Sequence, residues 1–146
     1  MQRMLGVDSP AFGPVFASTV YRDGAELPVD RFIAPRIEAE IGVVLERDLA
    51  GPDCTPMDAL LATRGLVAAL EIVDSRIVDW RIKLADTVAD LASSGAIALS
   101  SVVVPIDGFD PRLIGMVFSR NGQVIASGAG AGALGDPLAA VAWLAN

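Results

Sequence analysis

The sequence predicts one α+β domain, mainly β, with a few short helices. Three observations carry that prediction. Residues 36–46, RIEAEIGVVLE, alternate at period two, and residues 66–74, LVAALEIVD, form an almost continuous apolar run of strand length. Residues 114–128, IGMVFSRNGQVIASG, place two apolar segments around Asn121-Gly122, the pair that a tight hairpin turn favours. The helical signals are brief, each a cap residue followed by proline: Thr55-Pro56 and Asp136-Pro137. A chain of 146 residues fits a single domain, 1–146, and a domain of that size buries roughly 70% of its unfolded surface.

Taken in order, residues 1–13 are turn-rich, with DSPAFG as a loop. PVFASTVY (14–21) reads as a strand, followed by a turn with Asp23-Gly24 at its tip. The alternating strand 36–46 comes next, then the loop LAGPDC. A helix spans 56–65, with Thr55 as cap and Pro56 at its first position, where the missing N–H is not needed. The apolar strand 66–74 follows. Residues 75–95 are irregular, becoming helical near 86–92. AIALSSVVV (96–104) is a strand, 114–128 a hairpin, and Asp136-Pro137 opens a last helix.

Composition narrows function. The net charge is −7 with no basic run, which excludes a nucleic-acid-binding role. Histidine is absent, so there is no Ser–His–Asp triad, no Cys–His dyad and no histidine-ligated zinc. Any metal must be held by oxygen, which points to Mg²⁺, Mn²⁺ or Ca²⁺. The longest charge-free stretch, Leu91 to Ile106, is interrupted by four serines, a glycine and a proline, so no membrane span is expected. No hydrophobic leader is visible, and the single Cys54 cannot form an internal disulfide; a cytoplasmic location is expected. The apolar fraction, 53%, and the mean hydropathy, +0.52, are high for one soluble domain. Apolar surface covered from outside the chain, as in a homo-oligomer, would account for that.

Glu38 and Glu40 stand two residues apart in the alternating strand, so they share a face. Their Cα atoms lie about 6.6 Å apart at a rise of about 3.3 Å per residue. With both ionised, the repulsion is roughly 2.5 kcal/mol at an effective dielectric near 20. A wet face shared with Arg36 would relieve it, and so would a divalent cation. Glu71 favours the cation. It lies within an apolar run that reads as buried on both faces, and a lone carboxylate there needs a partner. Three glutamates from two neighbouring strands make a hard-oxygen metal site with positions left open for substrate.

Other features carry less. GAGALG (130–135) matches G-x-G-x-x-G, but a hairpin precedes it rather than a βαβ unit. It reads as a connection packing closely on the sheet. The segment after Trp80 carries Lys83, Asp86, Asp90, Ser93 and Ser94. Lys83 is either a solvated charge or, beside a metal and an α-keto acid, a group that orients a carboxylate. Trp80 reads as packing, and Cys54 as incidental.

Five segments resemble one family in chain order: LGVDSPAFGPVF, APRIEAEIGVVL, ALEIVDSRIVDW, ADLASSG and SRNGQVIASGAGAGALGDPLAAVAWLAN. They resemble the 2-keto-4-pentenoate hydratases of the fumarylacetoacetate hydrolase superfamily, and the resemblance runs along essentially the whole chain. The resemblance implies a mixed β-sandwich or roll, with Glu38, Glu40 and Glu71 as ligands to Mg²⁺ or Mn²⁺. It implies a 2-hydroxydienoate or 2-keto acid substrate, such as 2-hydroxypenta-2,4-dienoate, hydrated to a 4-hydroxy-2-oxo acid in aromatic meta-cleavage. The catalytic candidates are Lys83 and Asp8, and the substrate-binding candidates Ser93, Ser94 and Asp90. Partners would be another copy of the chain and a pathway enzyme. A 4-oxalocrotonate-type decarboxylase, a dioate hydratase and a non-catalytic scaffold subunit are the alternatives. The sequence also departs from the family. Its usual lysine segment would precede residue 1 and further strands would follow Asn146, so the chain is expected to be the central part of the domain, truncated at both ends. Ala11 replaces an aspartate, and Leu91 replaces an asparagine.

Overall fold

The computed structural model describes residues 10–146. The strands β1 (Val20–Arg22), β2 (Arg36–Leu45), β3 (Thr63–Val73), β4 (Ser94–Leu99) and β5 (Val104–Pro105) form one sheet in the order β1-β4-β3-β2, with β5 also on β3. The sheet is mixed: β1 runs parallel to β4, while β4 and β5 run antiparallel to β3. The strands β6 (Gly115–Arg120) and β7 (Gln123–Ala129) form a separate hairpin. Among the described residues, three short α-helices, α1 (Pro56–Ala62), α2 (Leu84–Ala89) and α3 (Pro137–Ala145), and several 3₁₀ turns complete the regular structure. The predicted class, mainly sheet with few helices, is the one observed.

By packing, the chain resolves into two compact units, and β2 and β3 each contribute to both. The first unit holds described residues up to Glu40 together with Ala69–Ser100. Val20 stands opposite Ile97, and Ile97 opposite Glu71, so β4 is sandwiched between β1 and the second half of β3. Its interior is partly polar. Asp74, Ser75, Thr87 and Ser93 are buried beside Val73 and Ala96. The Thr87 and Ser93 hydroxyls are 3.0 Å apart and hydrogen-bonded, which satisfies two groups that would be costly alone.

The second unit holds Ile41–Ala68 and Ser101–Asn146. Its core is apolar: Ala59 of α1, Leu66 of β3, Ile106, and Leu138 and Ala142 of α3, with Ile41 and Val43 of β2 packed on them. Thr55 caps α1 as predicted. Its hydroxyl accepts the Asp58 N–H at 3.2 Å, and the Asp58 carboxylate accepts the Thr55 N–H at 2.9 Å. At the hairpin, Asn121 (φ 52°) and Gly122 (φ 77°) are both left-handed, as a type I′ turn requires. All of β7 is exposed, including Val124 at 68% and Ile125 at 50%.

Several boundaries differ from the sequence prediction. In place of a strand over 14–21 there is a 3₁₀ turn, Ala17–Thr19, and then the three residues of β1. The Thr19 side chain bonds back to the Phe16 carbonyl at 2.8 Å, a local bond that competes with the ladder. Helix α1 stops at Ala62 rather than 65, because Thr63 turns its hydroxyl onto the Ala59 carbonyl at 2.7 Å and β3 begins at once. The strand expected over 96–104 is two strands. From Ala69↔Leu99 to Leu66↔Val104, three steps on β3 oppose five on the other side, so two residues bow out between β4 and β5. The helix near 86–92 ends at Ala89, where Leu91, Ala92 and Ser93 take positive φ. β3 is not buried on both faces throughout: Arg64, Ala68 and Leu70 are exposed.

Candidate metal centre

Strand β2 presents Glu38 and Glu40 on one face, and its neighbour β3 presents Glu71. One carboxylate oxygen from each lies within 4.8 Å of the others. Glu38 and Glu71 are half-buried, and Glu40 is the most open. Although Glu40 as a residue is open, partial burial of its carboxyl pushes it above its ordinary value of 4.5, and the charges of Glu38 and Glu71 push it further. Burial raises Glu71 as well; a hydrogen bond from the Ser94 side chain pulls it back, and the Glu38 charge adds to the rise.

The donor set suits a hard divalent ion. In an octahedral site with bonds of about 2.1 Å, adjacent ligand atoms lie about 3 Å apart and opposite ones about 4.2 Å. A cluster within 4.8 Å reaches that span with less than about an ångström of side-chain movement. A cation would also reverse the mutual repulsion that raises the two carboxyls.

The remaining candidates fall in different places. The Ser94 hydroxyl belongs to the cluster through Glu71, and the two are brought together by the β3–β4 pairing. Ser93 is fully buried on Thr87, and its carbonyl accepts the Asp74 N–H at 2.8 Å. Asp90 pairs with Arg76 at 3.4 Å. Lys83 is exposed at the start of α2, where its N–H donates to Asp86 at 2.9 Å. Asp8 lies outside the described residues.

Three features escaped the sequence reading. Asp74, directly after β3, is buried and accepts the N–H groups of Ile33 and Ala34 at 2.7–3.1 Å. Its only signal was its position at the end of an apolar run. Trp80, read as packing, is half-buried and donates its indole N–H to the Ala34 carbonyl at 3.0 Å. The Arg36 guanidinium lies 4.2 Å from the centre of the same ring, so Arg36 stacks there. The glycine-rich stretch is a 3₁₀ turn, Gly130–Gly132; a Cβ on Gly130 would come within 2.0 Å of the Pro111 carbonyl oxygen. The expected close packing holds at Gly130 alone: a Cβ on Gly132 or Gly135 would meet nothing within 4 Å, and Gly135 instead takes a left-handed φ of 82°.

The Fumarylacetoacetate (FAA) hydrolase C-terminal family matches residues 4–146. A 2-keto-4-pentenoate hydratase from Burkholderia vietnamiensis is 48% identical over 146 residues, which are the whole of this chain and 56% of that protein. A 2-hydroxypent-2,4-dienoate hydratase from Pseudomonas putida is 46% identical over 147 residues and is covered to 66%. The chain thus spans between about half and two thirds of these relatives. Among solved structures, 4-oxalocrotonate decarboxylase from Pseudomonas putida, complexed with magnesium and adipate, superposes with a TM-score of 0.94 at 35% identity, over 99% of this chain and 55% of that one. The same enzyme complexed with calcium and acetate gives 0.91.

Proposed function

This chain belongs to the fumarylacetoacetate hydrolase family, and from that premise we propose that it serves a divalent-metal-dependent hydratase acting on a 2-hydroxydienoate. The observation that carries the reading is the convergence of Glu38, Glu40 and Glu71 within 4.8 Å, in a chain whose relatives at 46–48% identity are hydratases. The proposed reaction converts 2-hydroxypenta-2,4-dienoate and water into 4-hydroxy-2-oxopentanoate. The enol oxygen loses its proton and C5 gains one, leaving a double bond conjugated with the C2 ketone. Water oxygen then bonds to C4, and C3 takes up the proton.

Glu38, Glu40 and Glu71 would hold Mg²⁺ or Mn²⁺. When bound, such an ion supplies a Lewis acid for the substrate carboxylate and the negative charge that develops at the C2 oxygen. The Ser94 hydroxyl, bonded to Glu71, favours the ionised form of that carboxylate against the larger effect of burial, and is proposed as a donor to substrate beside the cluster. Lys83, the only lysine in the sequence, is proposed to pair with the substrate carboxylate, and Asp8 to take part in proton transfer. Asp90 and Ser93 serve through the loop that leads to Ser94. We place the protein in the cytoplasm, as a homo-oligomer. Val117 and Val124 of the hairpin, 69% and 68% exposed, support an assembly that covers them, and a pathway enzyme is a further candidate partner.

A second reading has one observation behind it. The solved decarboxylase superposes closely, so a C–C bond cleavage at the same centre is the competing chemistry. The experiment that decides follows the ultraviolet absorbance of 2-hydroxypenta-2,4-dienoate with Mg²⁺ or Mn²⁺, and CO₂ release from a 4-oxalocrotonate-type diacid. Loss of the dienoate with formation of the 4-hydroxy-2-oxo acid supports the hydratase. CO₂ release alone supports the decarboxylase, and turnover of neither leaves the non-catalytic subunit.

A further inference from the structure

We infer that Asp74 is a positioning residue for the metal centre: its buried carboxylate ties the end of β3, three residues past Glu71, to the entry of β2, four residues before Glu38. The inference rests on the metal-centre reading proposed above. Register is set by the hydrophobic pattern of a strand and by the geometry at its ends, and a one-residue slip would turn Glu38 and Glu40 to the opposite face. A contact at the strand ends adds to that pattern, and this one joins the two ends that carry the ligands.

The contacts are specific. The Ile33 N–H reaches both Asp74 oxygens, at 3.1 and 2.9 Å, and the Ala34 N–H reaches Oδ1 at 2.7 Å. Both amides precede Arg36, the first residue of β2, and the carboxylate accepts them there. The opposite side of Ala34 is held too: its carbonyl accepts the Trp80 indole N–H. One residue of β2's lead-in is thereby fixed at both its donor and its acceptor. Asp74 is itself held from behind, its N–H donating to the Ser93 carbonyl and its carbonyl accepting from Arg76 at 2.8 Å.

The surrounding sequence is built to admit this arrangement. A Cβ on Gly95 would lie 2.9 Å from the Ile72 carbonyl oxygen, 3.1 Å from the Asp74 Cβ and 3.3 Å from the Phe32 ring. Only a residue without a side chain lets β4 pass this close to the clamp. The β3–β4 register also shifts at Ile72/Val73, directly between Glu71 and Asp74. Groups of this kind, one step removed from the ion, tune metal affinity by orienting the ligands.

The test uses the full chain and Mn²⁺ alone, titrated by electron paramagnetic resonance, with amide hydrogen exchange read at Ile33 and Ala34. The variants are Asp74→Asn, which turns a donor toward the Ile33 N–H, and Trp80→Phe, which keeps the ring and removes its N–H. Thr55→Ala, which weakens a helix cap in the other unit, controls for general destabilisation. The expected result is Mn²⁺ affinity about tenfold weaker in Asp74→Asn. Trp80→Phe is expected to weaken it by a smaller factor, exchange at Ile33 and Ala34 to quicken in both, and Thr55→Ala to match the wild type. If Asp74→Asn does not fold, Trp80→Phe decides alone. Wild-type Mn²⁺ affinity in the folded Asp74 and Trp80 variants overturns the positioning role while leaving the metal centre standing. Equal weakening in Thr55→Ala overturns it as well. A wild-type chain that binds no Mn²⁺ removes the centre itself, and the positioning role with it.

Discussion

At the scale of single residues, the three glutamates conflict with one another unless something positive lies between them. Replacing Glu71 by Gln removes one negative charge and one ionic ligand. The Glu71→Gln chain is expected to bind Mn²⁺ at least tenfold more weakly than wild type while holding its fold, checked by calorimetric titration. The metal-free chain should also show the strain in its pH dependence. Glu40 and Glu71 have folded pKa values above the ordinary 4.5, so the folded state binds more protons than the unfolded state just above that pH. Their contribution to stability therefore falls as pH rises from about 4.5 through the raised values. Asp58 and Asp110 work in the opposite sense and in a lower window: hydrogen bonds lower both, and their contribution is lost only as pH falls below about 3.8. Denaturant unfolding without metal at pH 5 and pH 8 checks this, and a Glu40→Gln, Glu71→Gln double variant should flatten that part of the profile. A second residue-scale prediction concerns Leu91, at φ 55°. A left-handed conformation is unfavourable for leucine and tolerated by asparagine, the residue the resembled family places there. Leu91→Asn is expected to raise stability by up to about 1 kcal/mol, read as a shift in the denaturation midpoint.

At the scale of elements, short helices depend on their ends. Helix α1 has seven residues and would not persist alone in water. It is held by the reciprocal Thr55–Asp58 cap, by Pro56 at its first position, and by burying Ala59 and Ala62. Thr55→Ala should cost about 1 kcal/mol in the folding free energy, measured by urea unfolding, with Mn²⁺ affinity unaffected. The strands obey a different rule. β2 keeps its predicted span to within one residue because period-two alternation is local, whereas the division of AIALSSVVV into β4 and β5 depends on which part of β3 each pairs with. The same applies to the 14–21 segment, whose apolar residues suit a strand but whose backbone bonds locally through Thr19.

At the scale of the whole molecule, a bound ion should act as a folding ligand. A ligand at 100 times its dissociation constant adds about 2.7 kcal/mol to stability by mass action. Mg²⁺ or Mn²⁺ at that level is therefore expected to raise the thermal midpoint, and a chelator to return it to the metal-free value; no shift would mean that the three carboxylates do not close on an ion. The exposed apolar hairpin bears on assembly. An isolated two-stranded ribbon is marginal in water, so the wet faces of β6 and β7 are the surface that sedimentation should show to be covered in solution.

Local chemistry was legible before any coordinates. Alternation in RIEAEIGVVLE fixes a strand face, Thr55-Pro56 and Asp136-Pro137 fix helix starts, Asn121-Gly122 fixes a turn, and the absence of histidine restricts any metal to oxygen ligands. Two of the three glutamates were placed together by spacing, because side-chain period is a property of one strand. The approach of Glu71 to within 4.8 Å of both, the burial of Ser93 away from solvent, and the reach of Asp74 across 40 and 41 residues to Ala34 and Ile33 were decided by tertiary structure. Each depends on which strands lie side by side and in what register, and register is set by contacts between segments far apart in the chain.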